Sequence, residues 1–295
     1  MDATLALMRA QRSEQLGSPD STLEERRAAL EMLTAVFPLP DDVAVTDVAA
    51  GGVPGVWLTP PGAREDAVLL YLHGGGYQLG STASHRELAA RLARSTGVRA
   101  LAVDYRLAPE HPFPAAIDDA LFAYRWLLDE QGLPPASVVL AGDSAGGGLV
   151  GALLVTARER GVPLPAAAAL LSPWVDLTGS GDTMVSKAEV DPILSAAVLD
   201  EMAGAYAGTA ERSDPLISPL FADLAGLPPL MVDAGTEEVL LDDGLRFAEA
   251  AEKAGVDVIL TVAEGMPHVW HIIAVAPEAT SATDRIGAFL AGQLG

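Results

Sequence analysis

Two glycine-rich segments of the chain carry residue types suited to acyl-transfer chemistry. Residues 142–146 read Gly-Asp-Ser-Ala-Gly, a pattern in which a tight turn presents a serine hydroxyl as a nucleophile. Residues 73–76 read His-Gly-Gly-Gly, and consecutive glycines are conformationally costly unless their bare N–H groups face a bound group. A nucleotide loop is disfavoured because this segment lacks G-x-G-x-x-G spacing and a following Lys-Ser or Lys-Thr pair. An oxyanion formed by attack of Ser144 is the better ligand.

Elements predicted around these segments place both at one edge of a sheet. Apolar runs of strand length, 67–72 and 137–141, lead into the glycine loop and the serine turn, and a helix is predicted over 149–160. Other strands are predicted over 99–104, 167–171, 230–234 and 256–262, and other helices over 85–95, 114–131, 242–254 and 280–294. This alternation predicts a mostly parallel sheet covered on both faces, with its chemistry at the carboxyl ends of the strands.

Two helical segments interrupt the alternation and are expected to pack over the carboxyl edge as a cap. The first covers residues 1–45, where the apolar contacts on offer come from Leu5, Met8, Leu30, Leu33 and Val36. The second is an insertion at about 180–210, opened by an Asp-Pro pair at 191–192. Residues 46–295, including that insertion, are expected to form the catalytic domain. Ordinary terminal and connecting helices are the alternative interpretation.

A nucleophilic serine needs a base, and the chain offers five histidines. Three are assigned other positions: His73 braces the glycine loop, His85 opens a surface helix, and His111 lies between prolines. His268 follows a predicted strand and could reach Ser144 across the sheet edge. His271 begins an apolar run and is expected to be packed or partly exposed. The position after a strand favours His268 as the base.

The acid that orients this base is sought in the preceding strand-to-helix loop, residues 235–243. Glu237 and Glu238 lie in the loop itself. Asp242 and Asp243 stand where the next helix begins, so their expected role is to cap its N-terminus. The residues alone do not decide between Glu237 and Glu238.

The motifs taken together resemble the hormone-sensitive-lipase family of carboxylesterases. The resemblance is carried by residues 73–76, 104–110, 142–147 and 266–270, and it extends from about residue 45 to the end. It implies an α/β-hydrolase fold, a mostly parallel central sheet flanked by helices, with a helical cap. In that family the acid closes a Gly-x-x-Asp segment usually followed by Pro. Here residues 235–239 read Gly-Thr-Glu-Glu-Val, which puts the acid at Glu238, with Val239 in place of the proline.

The resemblance also implies the remaining roles. Ser144, His268 and Glu238 would hydrolyse short- to medium-chain acyl esters through an acyl-enzyme, with no metal or organic cofactor. The backbone N–H groups of Gly75, Gly76 and Ala145 would form the oxyanion hole. Tyr77 follows the glycine loop and Trp174 follows a strand, so either could line the substrate pocket, although core packing is an equal alternative for Trp174. A lactonase or amidase is the rival enzyme. A non-catalytic binding protein would be expected to lose its serine or base.

Composition limits the partners. The chain has 295 residues, half of them hydrophobic, which is enough to bury the core of one sizeable α/β domain. It contains no cysteine, which excludes disulfides and thiol catalysis. A net charge of −22 argues against nucleic acid as a partner, because binding to phosphates needs clustered cations.

No segment has the length and apolarity of a membrane span, and a cytoplasmic location is expected. The expected partner is a small ester, and the last strand and helix offer an edge for a homodimer.

Overall fold

An eight-stranded sheet forms the centre of the molecule in the computed structural model, which describes residues 21–295. Its strands are β1 Ala44–Ala50, β2 Val53–Thr59, β3 Arg64–Leu72, β4 Val98–Val103, β5 Val138–Asp143, β6 Ala167–Leu171, β7 Leu230–Glu237 and β8 Val258–Pro267. They are ordered β1-β2-β4-β3-β5-β6-β7-β8. Strands β3 to β8 run parallel, whereas β2 pairs antiparallel with both β1 and β4.

Helices cover both faces of this sheet. They are numbered from the first described residue: α1 Leu23–Thr34, α2 Thr82–Thr96, α3 Ala115–Asp129, α4 Ala145–Glu159, α5 Thr183–Ser186, α6 Ala196–Ala207, α7 Leu241–Lys253 and α8 Pro277–Gln293. Side chains of β3 alternate between two cores, with Leu70 and Leu72 facing α3, α4 and α7. Leu69 and Tyr71 face α2 and α8. The interior parallel strands β3 to β7 are therefore mostly buried on both faces, which explains the apolar runs in their sequences.

The first two strands were not predicted from the sequence, because neither is a continuous apolar run: Thr46 and Asp47 interrupt β1, and Pro54 and Gly55 interrupt β2. The residues of β1 are exposed except at the end, where Val48 is partly covered and Ala50 is buried. A strand at the edge of a sheet needs no continuous apolar run, so it lacks the signal that marks β3 to β7.

The helix after Ser144 begins earlier than its predicted start at residue 149. Helix α4 starts at Ala145 and includes three consecutive glycines. Glycine normally weakens a helix, so the sequence pattern argued against this start. The structure shows the compensating requirement: a β-carbon at Gly146 would collide with the carbonyl oxygens of Leu72 and His73, and one at Gly148 would collide with that of Trp174. The glycines allow the helix to begin against the neighbouring backbone.

Helices α1 and α6 lie together over the carboxyl edge of the sheet. Helix α1 opens with a capping box between Thr22 and Glu25, and the salt bridge from Arg26 to Glu201, 2.8 Å long, joins it to α6. Arg27 donates to Glu110 and to backbone carbonyls of the loops after β3 and β4. The expected contacts of Leu5 and Met8 lie outside the described residues. No helix within residues 21–295 is long and apolar enough to cross a membrane.

Candidate active site

The candidate nucleophile stands at the sharp turn between β5 and α4. Asp143 ends the strand, Ala145 begins the helix, and Ser144 between them has φ +53° and ψ −122°. A non-glycine residue at positive φ is strained, and such strain persists only where the surroundings hold it. Here the Ser144 N–H donates to the carbonyl of Leu171 at 2.9 Å, and its own carbonyl accepts from Trp174 at 2.9 Å. These bonds tie the turn to the end of β6 and fix the direction of the hydroxyl.

A chain of hydrogen bonds joins Ser144 to a buried carboxylate. The His268 Nε2 lies 2.9 Å from the Ser144 hydroxyl, and its Nδ1 lies 2.6 Å from Glu238 Oε2. The carboxylate accepts a hydrogen bond from Nδ1–H, which leaves the unprotonated Nε2 free to accept a proton from the serine. The other carboxylate oxygen accepts from the N–H of Gly235 and from the Ser172 hydroxyl. These hydrogen bonds fix the orientation of the imidazole between the serine hydroxyl and the carboxylate.

Charge around His268 favours its protonated form. Burial acts to lower the pKa of this imidazole, but the hydrogen bond and charge of Glu238 and the charges of Asp191 and Asp143 outweigh it and raise the pKa above 6.5. The imidazole is thereby suited to accept the serine proton and to remain protonated until a leaving group needs it.

The structure places Glu238, and not Glu237, against the imidazole. Glu238 is fully buried and contacts His268, whereas Glu237 is the last residue of β7 and only partly buried. The carboxylate of Asp242 accepts from the Thr183 N–H at 3.0 Å.

The expected capping role of Asp242 and Asp243 is wrong. The N-cap residue of α7 is Leu240, and it forms no side-chain capping bond. The Asp243 carboxylate instead accepts from the backbone N–H groups of Val175 and Asp176, both at 2.9 Å. These aspartates hold the segment that follows β6, because that segment passes directly over the first turn of α7.

The glycine loop faces the serine from the end of β3. Gly75 and Gly76 have φ +116° and +62°, conformations that disfavour other residues, and both line the cavity above Ser144. Gly74 donates to Asp143 Oδ1 at 3.0 Å, so the loop is anchored to the serine turn itself. Ala145, the third expected oxyanion donor, is fully buried as the first residue of α4. Gly75 and Gly76 therefore border the space beside the serine hydroxyl, and Ala145 directly follows the serine in the chain.

His73 and His85 brace this loop from below. His73 Nδ1 lies 2.7 Å from the Gly74 carbonyl, and its ring stacks on Tyr105 at 4.3 Å between ring centres. The expectation that His85 opens a surface helix is wrong, because His85 is buried within α2 and lies 3.4 Å from the Asp143 carboxylate. The face of α2 that carries it packs against the sheet, which its position near the helix start did not reveal.

Asp143 and His85 form a buried ion pair. Burial acts to raise the pKa of Asp143, but the charge and hydrogen bond of His85 and the hydroxyl of Tyr71 hold it at about 2. Burial acts to lower the pKa of His85, and the charge of Asp143 reverses this and raises it. The pair therefore supplies a fixed carboxylate that anchors Gly74 beneath the glycine loop.

A cavity of about 460 Å³ opens above Ser144. Its walls are mostly apolar and come from α1, the segment before α6, α6 itself and the residues after His268; they include Leu30, Val36, Leu194, Met202 and Ile273. The size and the small number of polar groups are typical of a site for a small apolar ligand.

Tyr77 and Trp174 do not line this cavity, which corrects the expectation that they border the substrate. The Tyr77 ring is buried and stacks on Tyr206, with 3.7 Å between ring centres. Trp174 is buried and borders a separate cavity of about 180 Å³. Tyr77 has φ +60°, which turns its side chain back into the core beneath the loop.

Two polar residues near the site were missed by sequence reasoning. Ser172, directly after β6, donates to Glu238 at 3.0 Å and accepts from the Val269 N–H at 3.1 Å. It therefore joins the acid to the residue beside His268. Its place at the carboxyl end of a central strand was the available signal. The second is Asp191, in the segment before α6. His271, by contrast, is fully buried and faces Asp233 at 3.1 Å rather than the serine.

Comparison with known proteins gives consistent results for sequence and fold. Residues 69–272 match the family model described as alpha/beta hydrolase fold. An acetyl-hydrolase from Streptomyces hygroscopicus is 45% identical over 274 residues, covering 91% of this chain and 89% of that protein.

Solved structures show the same similarity. An esterase from the bacterial hormone-sensitive lipase family superposes with a TM-score of 0.95 at 44% identity, covering 99% of both chains. EstE5, in a crystal soaked with p-nitrophenyl butyrate, gives a TM-score of 0.92 at 41% identity, with 98% of both chains covered. Both the predicted fold and the predicted enzyme class are confirmed. The chain belongs to the hormone-sensitive-lipase family of α/β-hydrolase-fold carboxylic ester hydrolases.

Proposed function

We propose that this enzyme hydrolyses short- to medium-chain acyl esters through a Ser144–His268–Glu238 triad. The observation that carries the proposal is the hydrogen-bonded chain from the Ser144 hydroxyl through His268 to Glu238, with spacings of 2.9 and 2.6 Å, at the floor of an apolar cavity. A nucleophile, a base and an orienting acid within hydrogen-bond reach are what a serine hydrolase requires.

In the acylation step, Ser144 Oγ attacks the ester carbonyl while His268 Nε2 takes the hydroxyl proton. The N–H groups of Gly75, Gly76 and Ala145 stabilise the tetrahedral oxyanion, and one such donor contributes roughly 3 kcal/mol in comparable sites. The bond to the alcohol oxygen then breaks, and His268 delivers the proton to that oxygen. Glu238 holds the tautomer of the imidazole and stabilises its positive form.

Deacylation repeats these steps with water. His268 takes a proton from the water as its oxygen attacks the acyl carbon, and the proton passes to Ser144 Oγ when the acyl bond breaks. The free acid leaves and the serine is regenerated. All of the groups used belong to this chain.

We also propose that α1, in the segment 1–45, and α5 and α6, in the insertion at about 180–210, form a cap on the domain 46–295. Both contribute walls to the cavity, through Leu30 and Leu33 on one side and Leu194 and Met202 on the other. A cavity of about 460 Å³ closed by such walls favours short to medium acyl groups over long chains. The p-nitrophenyl butyrate soaked into the EstE5 crystal falls in that class.

Labelling with a fluorophosphonate probe tests the triad. Wild-type protein is expected to be labelled at Ser144, and Ser144→Ala is expected to be neither labelled nor active. Equal labelling of both proteins would reject the proposal. Turnover of matched ester, lactone and amide substrates then separates an esterase from a lactonase or amidase. A series of p-nitrophenyl esters from acetyl to decanoyl measures the acyl range, with the highest kcat/KM expected among the shorter chains.

A cytoplasmic location and a homodimer remain proposals. The dimer is supported by β8, the last strand in the order of the sheet, on which Ile259, Leu260 and Val262 are exposed. An edge strand with apolar side chains is suited to pairing with a second copy. Light scattering on the wild type and on an Ile259→Lys variant tests this, since a dimer formed there is expected to dissociate in the variant.

A further inference from the structure

Asp191 is a buried carboxylate on the cap side of the cavity, in the segment between α5 and α6. Its side chain has no exposed surface and accepts three backbone hydrogen bonds. Oδ1 accepts from Ile193 at 2.7 Å and from Leu194 at 2.8 Å. Oδ2 accepts from Val239 at 2.8 Å. A carboxylate removed from water needs such donors to remain acceptable in the interior.

The three donors belong to two parts of the candidate site. Ile193 and Leu194 line the cavity above Ser144. Val239 directly follows Glu238, so its N–H lies one peptide unit from the residue that contacts His268. A local turn at an Asp-Pro pair explains the two bonds to Oδ1. It does not explain the bond to Val239, which is 48 residues away in sequence and lies in the segment between β7 and α7.

The charge of Asp191 also acts on His268. Negative groups face this imidazole from three sides: Glu238 from the end of β7, Asp143 from the serine turn, and Asp191 from the cap segment. Burial raises the pKa of Asp191 overall, although the charge of His268 and the three backbone bonds act to lower it. Asp143 and Asp191 both lie outside the triad, but Asp143 already pairs with His85 and anchors Gly74.

We propose that Asp191 is a positioning residue for the reaction, which fixes the Glu238 loop against the cavity wall and stabilises the positive charge that forms on His268. This inference rests on the proposed triad. It assigns two effects to one side chain: a tether, made through the Val239 N–H, and a charge, which acts through space. Where relatives in the resemblance carry proline after the acid, this chain has Val239, and valine supplies the N–H that a proline lacks.

Two variants together distinguish the tether from the charge. Asp191→Asn removes the charge, and because its oxygen accepts from Ile193 and Leu194, its NH₂ group faces the Val239 N–H and the tether is lost as well. Val239→Pro removes the donor of the tether and keeps the charge. We expect Asp191→Asn to lower kcat about tenfold or more and to move the acidic limb of the kcat/KM profile to lower pH by about half a unit. Val239→Pro is expected to lower kcat while the limb stays in place.

Asp243→Asn is the matched control. Asp243 is equally buried and also accepts two backbone N–H bonds, but it is not among the leading charges on His268. Its replacement is expected to lower thermal stability and to leave the acidic limb where it is. An Asp191→Asn limb at the wild-type pH, or kcat within about threefold of wild type in both test variants, would overturn the inference. If Asp191→Asn gives no cooperative melt, kcat of Val239→Pro decides, and an unchanged value rejects the tether.

The proposed function is tested separately by the Ser144→Ala variant. Residual activity in Ser144→Ala rejects the triad and with it this inference. An inactive Ser144→Ala together with a normal Asp191→Asn rejects only the role of Asp191.

Discussion

Replacing Glu238 with Gln is the sharpest test of the proposed triad, because it changes charge and proton direction with little change in shape. Glu238 Oε2 lies 2.6 Å from His268 Nδ1, and Oε1 accepts from Gly235 N–H and the Ser172 hydroxyl. A glutamine has one acceptor and one donor group in place of the two acceptors. If its NH₂ faces His268, Nδ1 must accept a hydrogen bond and carry no proton, so Nε2 carries the hydrogen and points it at Ser144. If its NH₂ faces the other way, it meets the Gly235 donor.

Both orientations damage the site, but the first is favoured because it keeps two existing bonds at Oε1. An imidazole with its hydrogen on Nε2 cannot take the proton of Ser144, so the base is lost while the geometry stays. In a comparable serine triad the equivalent acid-to-amide change lowers kcat about 10⁴-fold. At about 1.4 kcal/mol per factor of ten, this corresponds to roughly 5 kcal/mol of lost transition-state stabilisation. We therefore expect Glu238→Gln to lower kcat about 10³- to 10⁴-fold.

The assay is hydrolysis of p-nitrophenyl butyrate at several pH values, with thermal melts by circular dichroism to verify folding. Asp242→Asn serves as the matched control, because Asp242 lies four residues further along the chain, in the first turn of α7, and its carboxylate accepts from the Thr183 N–H of α5. It is expected to keep kcat within about threefold of wild type. A folded Glu238→Gln enzyme within tenfold of wild type would refute the argument, as would a larger loss in Asp242→Asn, which would transfer the acid role to that residue.

Three further predictions concern pH and the supporting residues. Because the pKa of His268 is raised, kcat/KM is expected to fall with decreasing pH around a midpoint above 6.5; a midpoint below 6.5 in stopped-flow measurements would contradict this. The pKa of Asp143 is lowered to about 2, so its stabilisation is present above the unfolded value near 4 and is lost as pH falls through 2. Asp143→Asn should therefore lose about 2 kcal/mol of unfolding free energy at pH 7 and about half of that at pH 3, measured by urea titration; equal losses at both pH values would argue against the ion pair. Ser172→Ala leaves the Val269 N–H without its acceptor and is expected to cost about 1–3 kcal/mol in stability and about tenfold in kcat; a variant with unchanged kcat would show that Ser172 does not orient the acid.

The sequence was sufficient for the elements that are buried on both faces. Strands β3, β5 and β6 are continuous apolar runs, and each ends where a motif or a turn begins. Burial on both faces requires such runs, and parallel pairing places their carboxyl ends together, so the meeting of the glycine loop and the serine turn followed from pattern alone.

The acid could not be chosen from the residues because it lies where the strand ends. Strand β7 extends to Glu237, so Glu238 is the first residue beyond it. The alternation of side chains along a strand therefore does not predict which way Glu238 points. The resemblance to known esterases supplied Glu238, and the geometry then brought that carboxylate to the imidazole.

The substrate-side expectations failed for a related reason. Tyr77 and Trp174 were placed near the cavity by their positions in the chain, yet both side chains turn into the core. The direction of Tyr77 is set by its positive φ and by the ring of Tyr206, which belongs to α6, more than a hundred residues away. Position after a strand predicts which backbone reaches the edge of the sheet. Packing against a distant helix decides which side chains remain there.

The three carboxylates near His268 differ in how their charge is compensated, and this difference explains how they coexist in a mostly apolar cavity. Asp143 is balanced by the buried imidazole of His85, Glu238 by His268 itself, and Asp191 by three backbone N–H groups. Repulsion among unbalanced carboxylates would favour their protonation, which would remove the acceptor that His268 needs. Because each carboxylate has its own donors, all three can act together on one imidazole when it becomes positive. Removing the charge of Asp143 or of Asp191 should therefore move the acidic limb of the rate profile to lower pH, even though the triad atoms are untouched.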